Sequence, residues 1–63
     1  MKAQKIKELL GQNGYTLSSL AREWKTSRQN LHSIVHGRTK TRKWRVLVAH
    51  YAGCTVHELW PDN

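Results

Sequence analysis

The chain has 63 residues, a single cysteine and a formal net charge of +7. A chain this short buries only about 60% of its unfolded surface, which leaves no room for an enzyme's cleft and its supporting shell. Cys54 alone cannot form an intrachain disulfide, and the longest apolar run, residues 46–49, is far shorter than the roughly 20 residues that cross a bilayer. We therefore expect one non-enzymatic domain over residues 1–63, soluble, without a signal peptide, and working in the reducing cytoplasm without a cofactor.

The positive charge is concentrated in residues 22–45. This segment has eight lysines and arginines against one acid, Glu23, and so carries +7 by itself. The remaining three lysines and three acids cancel. A polyanion is the expected partner, because phosphate contacts supply most of the affinity of non-specific nucleic-acid binding. The alternative is a solvated basic surface that only aids solubility.

Apolar residues at helical spacing predict a first helix over residues 3–13. Ile6, Leu9 and Leu10 share one stripe, and the lysines lie largely off it. The helix should end at Gly14, since glycine adopts the left-handed capping conformation at low cost. We assign this helix a packing role, although its lysines could touch a nucleic-acid backbone.

The next segment predicts two short helices, over residues 17–24 and 28–36, with a tight turn at residues 25–27 between them. The i, i+3, i+4, i+7 pattern of a helical face runs through both and is interrupted once, at the turn. The apolar positions are Leu17, Leu20, Ala21 and Trp24, followed by Leu31, Ile34 and Val35.

Four residues mark the ends and the crossing of these two helices. Thr16 and Ser27 precede them as N-caps, where a hydroxyl can accept a hydrogen bond from an N–H of the first turn. Ala21 supplies the small side chain that two helices crossing at a steep angle need, and Gly37 caps the second helix. The pattern is typical of a helix-turn-helix.

Eight residues of this stretch also follow the pattern of a known family. They are Leu20, Ala21, Ser27, Arg28, Gln29, Leu31, Ile34 and Gly37. Over residues 16–37 the chain resembles the DNA-binding unit of lambda-repressor-like regulators of the Cro/XRE type. The resemblance implies an all-α fold, a compact bundle of about five short helices in which the first helix supports the next two.

Two positions depart from the family pattern. Lys25 stands where a glycine usually makes the turn, and Thr26 stands where an aliphatic residue usually packs. A non-glycine residue held at positive φ costs on the order of 1 kcal/mol, so we expect the turn to form with some strain.

In a helix-turn-helix the second helix can enter the major groove with its N-terminal residues nearest the base edges. Arg28 can pair with guanine through two hydrogen bonds, and Gln29 or Asn30 can do the same with adenine, while His32 and Ser33 offer single bonds one turn further along. The resemblance places Arg28, Gln29 and Ser33 where such proteins usually read bases. The alternative is a merely hydrophilic helix face. The candidate base-reading residues are Arg28, Gln29, Asn30, His32 and Ser33.

Residues 38–43 contain no apolar side chain and alternate hydroxyls with cations, which is typical of a loop or a frayed helix start. We expect this segment to lie along the sugar-phosphate backbone and to place the recognition helix without reading sequence. His36 would bind a nearby phosphate more tightly when protonated, and the resemblance puts Ser27 where phosphate is often bound. The candidate phosphate contacts are Thr16, Ser27, His36, Arg38, Lys40, Arg42 and Lys43.

Two histidine-containing pairs have spacings found in metal sites. His32 and His36 are four residues apart on one helix, and Cys54 and His57 form a C-x-x-H pair. No carboxylate or thiolate follows the pair of histidines at a plausible distance on the same helix. We predict no metal unless the fold joins the two pairs.

The last third of the chain predicts a fourth helix, capped by Thr41 and ending at Gly53, and a short fifth one that starts at Thr55 and stops at Pro61. The expected core stripe of the fourth helix is Trp44, Leu47, Val48 and Tyr51. In the fifth helix Val56, Leu59 and Trp60 should pack. The tail over residues 52–61 also resembles the ending of the Ner-like subset of these regulators, which are small phage or prophage proteins.

These features together predict a sequence-specific regulator of transcription that binds double-stranded DNA, probing the major groove with the third helix and repressing by occupancy, and that has a phage, prophage or bacterial origin. A DNA architectural or recombination-directionality factor, a domain that inhibits a protein partner, and an RNA-binding protein are the alternatives. Since one short helix reads few base pairs, we expect a homodimer at least on DNA, with the apolar end around Leu59 and Trp60 as a candidate pairing surface. No small-molecule ligand is expected.

Overall fold

Five helices make up the protein, in a computed structural model that describes residues 1–61. Their bounds are α1 Ala3–Gln12, α2 Leu17–Glu23, α3 Arg28–Val35, α4 Arg42–Ala52 and α5 Val56–Leu59. No strand occurs within those 61 residues. The prediction of an all-helical bundle containing a helix-turn-helix is confirmed. Helices α1 to α4 begin at the predicted residues, and α1, α2 and α3 each end one residue earlier than predicted. No described helix is long and apolar enough to cross a membrane.

One core holds the five helices together. α2 packs on α3, and α4 contacts α1, α3 and α5. Removing these apolar side chains from water is the main favourable term in folding, at roughly 25 cal/mol per Å². The largest fully buried side chains are Ile6, Leu10, Leu20, Leu31, Ile34, Val35, Val48 and Leu59.

The first four helices end with the same backbone motif, in which two N–H groups past the helix end donate back to carbonyls of its last turn. After α2, the N–H of Thr26 donates to the Ala21 carbonyl at 2.9 Å, and that of Lys25 donates to the Arg22 carbonyl at 3.3 Å. The motif needs a residue at positive φ. Glycine fills that position after the other three helices, whereas Lys25 fills it after α2, with φ of 54°. The strained turn predicted from the sequence is therefore present.

Side-chain caps begin α2, α3 and α5. The hydroxyl of Thr16 accepts from the Ser19 N–H at 3.0 Å, and that of Ser27 accepts from the Asn30 N–H at 3.0 Å. Thr55 forms a reciprocal capping box with Glu58. The prediction that Thr41 caps α4 is wrong in its chemistry: Thr41 precedes the helix, but its side chain makes no capping hydrogen bond.

The predicted core stripe of α4 is wrong by about one position. Only Val48 of that stripe is fully buried, whereas Trp44, Leu47 and Tyr51 are half-buried. The other buried positions of the helix are Arg45, Ala49 and Ala52. The small alanines let α4 lie close to its neighbours, so the bulky aromatic rings are left at the margin of the core.

Arg45 is the one charged side chain buried among the described residues, with 4% of its surface exposed. Its guanidinium lies over the Trp60 ring, 4.8 Å from the centroid, and its Nε donates to the Thr39 carbonyl at 3.3 Å. Leu59 and Trp60 are themselves buried in the core. The suggestion that these two residues form an exposed pairing surface is therefore wrong.

Ala21 is buried where α2 meets α3, and this contact predicts the effect of enlarging it. We expect Ala21→Leu to overpack the contact and to cost about 1–3 kcal/mol. In a domain of this size, each 1 kcal/mol lowers the melting temperature by about 4–8 °C, which thermal denaturation measures. Ser18→Leu, on the exposed side of α2, is the matched control and should stay within about 0.5 kcal/mol. An unchanged melting temperature for Ala21→Leu would contradict the packing described.

Lys25 at positive φ predicts a stabilising substitution. Lys25→Gly removes a Cβ penalty of about 1–2 kcal/mol and restores some chain entropy to the unfolded state, so we expect a net gain of about 0.5–1 kcal/mol. Chemical denaturation measures it. Lys25→Ala is the control, because it removes the charge and keeps the Cβ. Equal gains for both variants would attribute the effect to charge.

Candidate nucleic-acid interface

The rotation of α3 decides which of its side chains point away from the protein. Leu31, Ile34 and Val35 are buried, and they define the inner side. At about 100° per residue, Gln29 and Ser33 lie opposite that side. His36, at the end of the helix, falls on the same outward stripe.

The remaining candidates on α3 lie on its two flanks. Arg28 and His32 are neighbours on one flank, and both line an open cleft against α1 and the start of α2. Asn30 lies on the other flank. Arg28 and Gln29 are exposed, whereas Asn30, His32 and Ser33 are half-buried. Of the five predicted base-reading residues, Arg28 and Gln29 are therefore the ones that are freely accessible.

The amide of Asn30 is engaged with the turn that precedes α3. Its Nδ2 donates to the Thr26 hydroxyl at 2.9 Å, while its backbone N–H donates to the Ser27 hydroxyl. This hydrogen bond explains how Thr26 substitutes for the aliphatic residue expected there. A half-buried polar pair takes over part of the stabilisation that apolar packing would otherwise supply.

His32 and His36 stack on each other along α3, with ring centroids 4.1 Å apart. Partial burial lowers the pKa of His32 below its ordinary value, and the neighbouring basic groups His36, Lys7, Arg38 and Arg28 act in the same direction. At neutral pH the His32 ring is therefore uncharged. An anion placed among these groups would remove the repulsion and favour its protonation.

All seven predicted phosphate contacts are exposed: Thr16, Ser27, His36, Arg38, Lys40, Arg42 and Lys43. The two hydroxyls use an oxygen lone pair to cap a helix, so each keeps its O–H as a free donor. The structure thus leaves every one of these groups accessible to a ligand.

The first turn of α4 carries Arg42 and Lys43, where cations are unfavourable. The N-terminus of a helix bears a partial positive charge, and a like charge in its first turn costs about 0.3–1 kcal/mol. No acid lies in that turn. The Nζ of Lys43 is 5.5 Å from the centre of the Trp44 ring, which compensates only in part. Local stability does not account for these two cations, whereas a phosphate beside them would.

An aromatic cluster, Tyr15, Trp24, Trp44 and Tyr51, joins the α1–α2 loop, the end of α2 and α4. Ring centroids lie 4.8 Å apart for Tyr15 and Tyr51, 5.3 Å for Trp24 and Tyr51, and 6.1 Å for Trp24 and Trp44. The Tyr51 hydroxyl donates to the Glu23 carboxylate at 2.8 Å, and this bond raises the pKa of the phenol. The rings contact each other, so they are not the open stacking platforms that single-stranded nucleic acids need.

The two histidine-containing pairs do not combine into a metal site. Within residues 1–61, no three histidine, cysteine, aspartate or glutamate side chains come together in the arrangement that a metal ion needs. The single cysteine, Cys54, is half-buried, and its thiol lies 3.7 Å from the Ala52 carbonyl oxygen.

A family model for winged helix-turn-helix DNA-binding domains matches residues 1–63. The chain belongs to this family. No curated protein and no solved structure matches it significantly. Membership shows that the chain is a helix-turn-helix DNA-binding domain, and α2, the turn and α3 have the arrangement of that motif. A β-hairpin wing is not found in the described part of the chain, which contains helices and loops and no strand.

The Asn30 contact predicts that this residue serves stability more than base preference. Asn30→Ala removes the hydrogen bond to Thr26, and we expect a loss of about 0.5–1.5 kcal/mol in the free energy of unfolding. Base preference, measured by selection from random duplexes, should stay unchanged. A variant of unchanged stability that tolerates a new base at one position would instead place Asn30 among the base-reading residues.

Proposed function

We propose that this protein is a sequence-specific regulator of transcription that inserts α3 into the major groove of double-stranded DNA. The observation that carries the proposal is the exposure of Arg28 and Gln29 at the N-terminal end of α3, the second helix of the motif. In that position a recognition helix brings its side chains closest to the base edges. The +7 net charge supplies the affinity for phosphates.

Base reading is assigned to three residues of α3. The guanidinium of Arg28 matches O6 and N7 of guanine, and the amide of Gln29 matches N6 and N7 of adenine. Ser33 lies one turn beyond Gln29 on the same outward stripe and offers a single hydrogen bond. Asn30 supports the turn, and His32 lies one stripe away, on the flank that faces α1.

Backbone contacts are assigned to groups on both sides of α3. Thr16 and Ser27 offer O–H donors before α2 and α3, and His36 stands at the end of α3. The basic segment adds cations that run into the first turn of α4, where a phosphate would offset their unfavourable position. That segment contributes Arg38, Lys40, Arg42 and Lys43.

Repression by occupancy is the mechanism that requires the fewest functional surfaces in a chain of this size. A bound domain excludes polymerase from a promoter without needing a second active surface. The all-helical bundle and the capped turn support a place among lambda-repressor-like regulators of the Cro/XRE type. The tail over residues 52–61 supports the Ner-like subset and a phage or prophage origin. We take residues 1–63 as a single domain acting in the cytoplasm.

Pairing of two copies on DNA completes the proposal. One helix of eight residues reads only a few base pairs, so useful specificity calls for two copies on half-sites about 34 Å apart. The stoichiometry on a selected duplex, measured by analytical ultracentrifugation, tests this. One copy bound to a non-palindromic site would contradict it.

Selection from random duplexes at fixed salt is the experiment that tests the function. We expect a short consensus whose two halves are related by symmetry, and a compact protected site without bending in footprinting. Repeated protected sites on bent DNA would support an architectural or recombination factor instead. Absence of any sequence preference would overturn the proposal.

Two substitutions separate base reading from backbone binding. Arg28→Ala should cost about 1–3 kcal/mol on the selected site and relax preference at one base position. Lys40→Ala should weaken binding to all sequences alike and lower the salt slope by about 1. Fluorescence anisotropy at several salt concentrations measures both effects. If Arg28→Ala keeps the full site preference, α3 does not read the bases as assigned.

A further inference from the structure

A cleft of about 290 Å³ separates α1 from α3, and its lining includes Lys7 and His32, which the base and backbone assignments leave unused. Lys7 reaches it from α1, and Arg28 and His32 reach it from α3. A second, more open depression is lined by Arg28, Gln29 and His32. The cleft is therefore continuous with the surface that carries Gln29.

The lining of the cleft has a basic part and an apolar part. The basic side chains are Lys7, Arg28 and His32, the apolar ones are Leu10, Tyr15 and Leu17, and Thr16 and Ser18 add hydroxyls. No acidic side chain is among the lining residues. A ligand that fits both parts is an anion joined to a compact, partly apolar ring. A phosphate attached to deoxyribose has this chemistry.

We propose that the cleft receives one sugar-phosphate unit of the DNA backbone, with Lys7 and His32 binding the phosphate. The deoxyribose ring rests on the apolar part of the lining. Arg28 borders the cleft and keeps its guanidinium for the bases. This proposal rests on the proposed function, since it needs α3 to lie in the major groove with a DNA strand passing along α1.

The proposal gives a role to Lys7 and His32, for which the sequence predicts different roles. The sequence assigns Lys7 to a packing helix whose lysines could touch a nucleic-acid backbone, and in the structure it is half-buried and its charge acts on His32. His32 was expected to read a base, yet it lies on the flank of α3 that faces the cleft. The groups that face His32 are Lys7 from α1, Arg28 and His36 from α3, and Arg38 from the segment after α3. All are basic, so a phosphate placed there would be attracted by each of them.

The test scans the selected duplex with single methylphosphonates, each of which removes the charge of one backbone phosphate. In the wild-type protein we expect neutralisation at one position per half-site to weaken binding roughly tenfold through loss of the Lys7 contact. In Lys7→Gln that position should lose its effect, while the other sensitive positions keep theirs. Lys7→Gln should also lower the slope of log K against log salt by about 0.9. Lys7→Arg, which keeps the charge, should restore the wild-type profile.

Lys5→Gln is the matched control, since it makes the same charge change on the same helix at an exposed residue outside the cleft. It should leave the methylphosphonate profile unchanged. Equal profiles and salt slopes for the two glutamine variants would overturn the proposal. The function would still stand, because both variants would keep the selected consensus. Failure of the wild-type protein to prefer any duplex would overturn the function itself.

His32 is tested by pH with the same duplex. Phosphate binding should raise its proton affinity, so DNA affinity should increase as the pH falls from about 7.5 to about 5.5, across the ordinary histidine range. His32→Gln should reduce that increase and leave the consensus unchanged, whereas His50→Gln, at an exposed residue outside the cleft, should keep it. A changed consensus in His32→Gln would return this residue to base reading and overturn its assignment to the cleft.

Free deoxynucleoside monophosphate, added as competitor at millimolar concentration, should not displace the duplex. If the monophosphate displaced the duplex from the wild-type protein but not from Lys7→Gln, the occupant of the cleft would be a free nucleotide, and the proposal would be overturned.

Discussion

The burial of one side of α3 is the constraint on which the remaining structure depends. Leu31, Ile34 and Val35 are almost completely removed from water. Turning α3 about its axis would expose at least one of them, at about 1.5–3 kcal/mol for a fully buried aliphatic side chain. Because the core fixes the rotation, it also fixes the outward direction of Gln29 and Ser33. The direction of the proposed base-reading side is thus decided by buried residues on the opposite side of the helix.

Two locally unfavourable features lie in the segments directly before and after α3. Lys25 holds a backbone conformation that glycine adopts more easily, and Arg42 and Lys43 crowd the positive end of α4. Each of these features lowers the stability of the free protein by a small amount. Natural sequences keep such conflicts mainly where function requires them. The cations at α4 fit this description, whereas the conformation of Lys25 has no functional contact to explain it in the structure.

Sequence patterns predicted the local structure well and the packing of the last helices less well. The caps at Thr16, Ser27 and Thr55 follow from short-range chemistry, which the sequence displays directly. The rotation of α4 depends on which helices surround it. A hydrophobicity pattern favours Trp44 and Tyr51 over Ala49 and Ala52 for the core, and it assigns an arginine to the surface. Close helix packing reversed both expectations. The cleft at Lys7 depends likewise on the placement of α1 against α3, which no spacing in the sequence reveals.

The buried position of Arg45 bears on how the basic segment is held. Its guanidinium stacks on Trp60, and its Nε binds the Thr39 carbonyl, so it links the loop to both α4 and α5. The N–H of Thr39 donates to the Ser33 carbonyl at 3.3 Å, which fastens the same residue to the end of α3. Arg38 and Lys40 therefore flank a residue anchored from two sides. Anchoring of this kind reduces the entropy that the loop loses on binding and holds its cations at a fixed distance from α3. Arg45 thus holds the proposed phosphate contacts Arg38 and Lys40 in place, while its own charge remains inside the protein.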